Sequence, residues 1–255
     1  MSDEVLTERR DNVLIVTLNR PEAKNAVNEG LAKGVAAAMD ELDGDDSLFV
    51  GIITGAGGTF CSGMDLKGFL KGENPTVDGR GFAGLTGAPP KTPLIAAVEG
   101  WALAGGCEVV LSCDLVVAST EAKFGIPEVK RGLVAGAGGL LRLPKRIPYH
   151  LAMEFAITGE PVTAEVAKSY GLVNRLAEPG KALDVALELA ALVAANGPLA
   201  VKATKEIVRM AAAEWTESEA WEKQGAILAP AFASEDAREG ATAFAEKRPP
   251  VWKGR

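Results

Sequence analysis

Histidine is almost absent: the sequence carries one, His150. That excludes zinc motifs built on two histidines, such as H-E-x-x-H. A Ser-His-Asp triad would have to run through His150, which stands in PYHLAMEF at the expected start of an apolar helix, a poor setting for a triad's geometry. Cysteine is scarce as well, and Cys61, Cys107 and Cys113 are too few for a disulfide framework. Positive charge is in deficit. Twenty-seven Lys and Arg against 34 Asp and Glu give a formal net charge of −7, which argues against a broad nucleic-acid or anionic-membrane surface. No run of 18 apolar residues occurs, so no bilayer-spanning helix is expected. The opening MSDEVLTERR is polar and unlike a signal peptide. The expectation is a soluble cytoplasmic chain whose acid–base chemistry falls to carboxylates, lysines or backbone groups.

What is present is an ordinary globular composition: 255 residues, 47% apolar and 24% charged. That suits one large domain, or a domain with a smaller appendage. Val5 to Arg9 and Val13 to Leu18 predict a hairpin about Asp11-Asn12. Asn28 can cap a helix to about Leu42, with Leu31, Val35, Ala38, Met39 and Leu42 on one face. Phe49 to Thr54, Leu94 to Val98 and Leu115 to Ala118 read as buried strands, each followed by small residues, and Glu108 to Ser112 as helical. The pattern of short apolar strand, small-residue turn and helix favours an α/β architecture. Residues 71–92, rich in Gly and Pro without periodicity, read as a mobile loop.

Beyond residue 138 the spacing predicts helices over Leu140–Ile147, Tyr149–Ile157, Thr163–Tyr170 and Lys181–Ala195, with one strand at Leu172–Leu176. Helices are expected again over 198–214, 216–232 and 234–247, before the tail RPPVWKGR. The shift near Gly197-Pro198 divides the chain into 1–197 and 198–255. The second part is small for an independent fold and is expected to pack on the main body or on a neighbouring subunit.

The glycine-rich turns fit no phosphate motif. Gly55-Ala56-Gly57-Gly58-Thr59-Phe60 ends in Phe where a dinucleotide fingerprint needs its third glycine, and Gly136 to Leu141 fails the same way. Neither a Walker loop nor a G-x-S-x-G elbow about Ser62 occurs. Two junctions remain, Cys61-Ser62-Gly63 and Ala104-Gly105-Gly106. Small residues there either shape tight turns or leave main-chain N–H groups open to a ligand, and two such groups meeting at one point would form an oxyanion hole. Glu108 stands in the apolar run CEVVLSC, and Glu128 follows Phe124-Gly125-Ile126-Pro127. Each is either a helix-start or surface acid, or a desolvated carboxyl whose raised pKa suits proton transfer.

TGAGGTFCSGMDL, PLIAAVEGWALAGGCEVVLSCDLVVAS and AKFGIPEVKRGLVAGAGG together resemble the crotonase superfamily of enoyl-CoA hydratases and isomerases. The likeness runs from LNRPEAKNAV to EGATAFAEKRPPVWKGR. It implies a spiral core of ββα turns with a C-terminal helical region used in oligomerisation, assembled as a homotrimer or homohexamer. It implies a CoA thioester substrate and no cofactor or metal. Carried over by position, the oxyanion donors are the amides of Ser62 and Gly105, and the hydratase acids are Glu108 and Glu128. Ala23, Lys24, Ser62, Gly63, Met64, Asp65, Leu66 and Gly105 match CoA-groove positions, and Phe244 and Lys247 a C-terminal segment that reaches CoA in relatives. The implied activity is hydration of a 2-enoyl-CoA. Carnitinyl-CoA dehydratase, an enoyl-CoA isomerase and a non-catalytic acyl-CoA binder are the alternatives. GFAGLT and the tail resemble carnitinyl-CoA dehydratase locally, and that substrate would want an aromatic contact for its trimethylammonium group, with Trp101 a candidate or else a core residue.

Overall fold

A computed structural model describes residues 4–213 and 215–255. β1 (Val5–Arg10) and β2 (Val13–Leu18) form the expected hairpin. The β2 side chains alternate between two cores: Leu14, Val16 and Leu18 enter one, Val13 and Ile15 the other. β3 (Val50–Gly55), β6 (Leu94–Val98) and β8 (Leu115–Ser119) alternate in the same way. Strands buried on both faces belong to a parallel sheet. The order is β1-β2-β3-β6-β8-β11, with β11 spanning Arg175–Ala177, and every pair after the first is parallel.

One face is covered by α1 (Glu29–Gly44), which starts where expected because the Asn28 side chain accepts from the Leu31 amide at 2.9 Å. The other face is covered by α7 (Ala182–Ala194), whose Ala182, Ala186 and Ala190 recur every fourth residue and let the helix lie close. Trp252 from the tail packs into the same cluster, and its indole N–H donates to the Ala195 carbonyl at 2.9 Å.

A second layer stands beside this sheet. β7 (Trp101–Leu103) pairs in parallel with β9 (Lys123–Gly125), and β10 (Val162–Thr163) closes the edge. Cys61 extends the layer by a parallel bridge to Ala102, and Met64 bridges Val27. Successive turns then read β3, Cys61 bridge, α2 (Leu66–Leu70); β6, β7, α3 (Gly105–Val110); β8, β9 and a 3-10 turn over Pro127–Arg131. This is the stepped ββα arrangement that the resemblance implied.

β7 and β9 were expected as turns; three residues are too few to show periodicity. α3 begins at Gly105 rather than Glu108, so Glu108 is inside the helix and does not cap it. The strand expected at Leu172–Leu176 forms at Arg175–Ala177, because the Asn174 side chain takes the Val116 amide at 2.8 Å and delays the pairing. Segment 71–92 is no featureless loop. It holds the hairpin β4 (Thr76–Val77) and β5 (Gly81–Phe82), with Arg80 paired to Asp40 and the Asp43 carboxylate accepting from the amides of Lys91 and Thr92.

Between the layers and the tail run α4 (Gly139–Arg146), α5 (Tyr149–Thr158) and α6 (Ala164–Ser169). α8 (Pro198–Ala213), α9 (Glu217–Ala233) and α10 (Glu235–Glu246) complete the chain; the expected last residue of the first of these, 214, lies outside the described residues. α8 is fastened to the body by Lys205, whose ammonium donates to the Asp114 carboxylate at 2.5 Å and the Thr92 carbonyl at 3.0 Å.

Candidate active site

The second layer ends in a backbone feature that alanine rarely adopts. Ala104 has φ 51° and ψ −129°. It is clamped on both sides: its N–H donates to Gly125 at 2.8 Å, and its carbonyl accepts from Cys107 at 2.9 Å and Glu108 at 3.1 Å. A trans peptide is planar, so a carbonyl turned into α3 turns the next N–H, that of Gly105, out of the helix. The Phe82 ring lies over Gly105, where a Cβ would collide with it.

The facing turn shows which amide can join that of Gly105. The Ser62 amide, expected as the second donor, instead donates to the Lys24 carbonyl at 3.1 Å. Val27 donates to Gly63 at 2.7 Å and accepts from Asp65 at 2.9 Å. Met64 is the middle residue of this parallel bridge, its two neighbours making both bonds to Val27, so the Met64 N–H faces away from Val27. Gly63 itself abuts the other junction: a Cβ on it would lie 2.8 Å from the Ala104 Cβ and 3.3 Å from the Gly105 nitrogen. The donor expectation therefore moves from Ser62 to Met64. Ser62 and Asp65 both donate towards the Lys24–Val27 segment although three positions apart, so the regular alternation breaks at Gly63, φ +99°, and the sequence carries no period that would have pointed to Met64.

The two acids occupy one electrostatic neighbourhood. Glu108 sits one turn after Gly105 and is only 3% exposed. Its Oε1 accepts the amides of Ala137 and Gly139, both at 2.8 Å. Burial pushes its carboxyl above the ordinary range, against the pull of those two amides and the Arg142 guanidinium. Glu128 lies on the 3-10 turn after β9. Its Oε2 is buried and has no hydrogen-bond partner among the described residues. Burial raises its carboxyl too, and the charge of Glu108 adds to the rise. Gly139 completes the wall, since a Cβ there would stand 2.8 Å from Glu108 Cγ. The thiols offer no nucleophile: burial holds Cys61 and Cys113 at about 12 and Cys107 higher. His150 is exposed beside Tyr149 on α5.

Residues 8–255 match the family profile described as enoyl-CoA hydratase/isomerase. The chain belongs to that family. It is 43% identical to enoyl-CoA hydratase EchA19 of Mycobacterium tuberculosis, with 99% of this chain and 97% of that one covered. It is 41% identical to the carnitinyl-CoA dehydratase of Proteus mirabilis, with both chains covered completely. A crystal structure of an enoyl-CoA hydratase from M. tuberculosis superposes with a TM-score of 0.97 at 59% identity, again over the whole of both chains. The ββα core is therefore the crotonase fold.

The residues carried over from the family for CoA are scattered in what they do. Ala23 ends a 3-10 turn and Lys24 follows it, exposed, at φ 51°. The Asp65 carboxylate already has partners: Oδ1 caps α2 through the amides of Lys67 and Gly68, and Oδ2 pairs with Arg20 at 2.9 Å. Leu66 opens α2, exposed. Phe244 and Lys247 lie exposed at the end of α10, which packs on α9. Trp101 stands at the opposite end of β7 from Gly105, and its ring already carries the Lys123 ammonium at 5.1 Å. It offers no trimethylammonium cage beside the two acids.

Proposed function

We propose that the protein is an enoyl-CoA hydratase that adds water reversibly across the 2,3 double bond of a 2-enoyl-CoA. A conjugated thioester accepts a nucleophile at C3 only as negative charge moves onto its carbonyl oxygen. The amides of Gly105 and Met64 receive that oxygen; one such donor is worth about 2.7–4 kcal/mol. Glu108 takes a proton from water as its oxygen bonds to C3, and Glu128 supplies a proton to C2, so one water is consumed and 3-hydroxyacyl-CoA results. The two carboxyls titrate as a pair. The reaction asks for no metal or redox group, and coenzyme A is part of the substrate. Lys24, Phe244 on α10 and Lys247 just after it are assigned to the CoA moiety.

The single observation that carries this reading is the Glu128 carboxyl oxygen, buried without a partner among the described residues and beside a second buried acid. An unpaired buried acceptor is costly unless it meets water or substrate. The same cost argues against a non-catalytic acyl-CoA binder, which has no use for such a pair. Glu128→Gln should bind crotonyl-CoA as the parent does and lose hydration by orders of magnitude, followed as decay of enoyl-thioester absorbance. Hydration at the parental rate would remove Glu128 from the mechanism.

Carnitinyl-CoA dehydration is the second reading, favoured by the full-length likeness to a carnitinyl-CoA dehydratase. A panel of crotonyl-, longer enoyl-, 3-enoyl- and crotonobetainyl-CoA separates hydratase, isomerase and dehydratase. The assembly we propose is a homotrimer or a pair of trimers in the cytoplasm. Trp221, Phe232 and Phe244 on α9 and α10 are 72%, 76% and 87% exposed in the single chain, as side chains that meet another subunit would be. Light scattering of the purified protein measures the mass directly.

A further inference from the structure

Arg142, on α4, is used by neither of the proposed proton transfers. Its guanidinium donates from Nη2 to the Thr86 carbonyl at 2.6 Å and from Nη1 to the Ala137 carbonyl at 3.4 Å. Those carbonyls belong to the two loops that flank the candidate site. Thr86 follows Phe82, whose ring lies over Gly105, and the Thr86 amide itself donates back to Phe82 at 3.1 Å. Ala137 donates to Glu108 Oε1 from its own amide. Within the second loop Gly138, at φ +94°, leaves room for the guanidinium, because a Cβ there would strike Arg142 Nη1. Arg142 is half-buried, and its charge acts on Glu108.

We propose that Arg142 is the positioning residue of the site: it ties the Phe82 loop to the Ala137–Gly139 loop, holding the Glu108 carboxylate on its two amides and balancing its charge. This rests on the hydratase reading only for the direction in which activity changes. Arginine suits the place because its planar fork reaches two carbonyls at once, which a lysine ammonium on a single stem does less well. The groups facing Glu108 are Arg142 from α4, Glu128 from the 3-10 turn and the amides of Ala137 and Gly139; Arg142 in turn faces Arg146, Arg209 and Cys113. Without Arg142, Glu108 keeps its desolvation and loses the cation, so its carboxyl titrates higher.

Two measurements on the full chain test this. Carboxyl NMR of glutamate-labelled protein, with Glu108→Gln to assign the signal, follows Glu108 across pH without any turnover. Crotonyl-CoA kinetics give kcat and KM across pH. Arg142→Leu should move the Glu108 titration upward, shift the acid limb of kcat to higher pH, lower kcat by about a hundredfold as expected for a displaced catalytic group, and leave KM within about threefold. Arg142→Lys should restore the titration while remaining about tenfold down in kcat, since charge returns without the fork; it is the deciding variant should the leucine form not fold. A Glu108 titration unmoved in folded Arg142→Leu, or a kcat of Arg142→Lys equal to the parent's, overturns the proposal. Absence of crotonyl-CoA turnover in the parent would instead overturn the hydratase reading, and the NMR titration would still decide the role of Arg142.

Discussion

Replacing Ala104 by glycine should make the protein more stable and less active at once. Alanine at φ 51°, ψ −129° is held in a region open to glycine, and such strain costs about 1–3 kcal/mol. Glycine removes it but gives the unfolded chain more freedom, which costs about 0.4–1 kcal/mol. The balance is a gain of about 1 kcal/mol, or roughly 2–4 °C in Tm for a chain of this size. The carbonyl clamp from Cys107 and Glu108 stays, so the Gly105 amide keeps its mean direction and loses rigidity. Forfeiting about a quarter of one donor's 2.7–4 kcal/mol lowers kcat by roughly three- to fivefold. Gly63 supplies an internal control. Gly63→Ala puts its Cβ 2.8 Å from that of Ala104 and 3.1 Å from the Leu103 carbonyl, at φ +99°. In the Ala104→Gly background the first clash disappears and the other penalties remain. Thermal or urea unfolding of the four proteins should then show a favourable coupling of about 1 kcal/mol, above the ~0.5 kcal/mol within which independent sites add. A destabilised Ala104→Gly protein, or strict additivity, would refute the account of this junction.

Stability should also fall with rising pH in a way that two residues explain. Glu108 and Glu128 hold their protons above the ordinary carboxylate value of 4.5. The folded state thus binds more protons than the unfolded state just above that pH, and stability is lost as pH climbs through the raised range. Thermal unfolding of a Glu108→Gln/Glu128→Gln double variant should show a Tm advantage over the parent that grows from pH 4.5 upward and then levels; a difference independent of pH would contradict the burial argument. Lys205→Met should cost about 1.5–3 kcal/mol, since it breaks a charge-assisted bond and leaves Asp114 without its cation. The Lys205 side chain is only 11% exposed, and a Tm within a degree of the parent's would show that α8 does not depend on this tie.

The elements that were legible in the sequence are those long enough to show a period. α1 repeats its apolar face over sixteen residues and carries its own cap at Asn28. The core strands of the large sheet read as continuous apolar runs because both faces are buried. The second layer was not legible: β7 and β9 have three residues each, and their partners are distant in the chain. The site depends on that layer, so its acids could be named from the sequence while their surroundings could not. Nothing in CEVVLSC foretells that Glu108 Oε1 receives amides from residues 29 and 31 positions away. The Ser62 donor failed for a related reason. Small side chains mark where a backbone can be approached, but the direction of each N–H is set by the strand across from it, here Val27 and Lys24.

The costly features of this chain converge on one place. Ala104 is strained, the Glu108 carboxylate is desolvated, and Glu128 Oε2 is buried without a partner among the described residues. Each alone is a feature that a chain optimised for stability would shed. The hydration proposed above uses all three: a fixed amide where charge develops, a base that water cannot fully solvate, and an acid whose proton is held above the ordinary carboxylate range. Burial raises Glu128 and the charge of Glu108 raises it further, so the proposed acid holds its proton more tightly while the proposed base is ionised. Arg142 bears on this balance from outside the reacting groups, because its charge favours ionisation at Glu108 more directly than at Glu128. It thereby biases which of two chemically identical side chains is the base, an asymmetry that two glutamates in equivalent surroundings would lack.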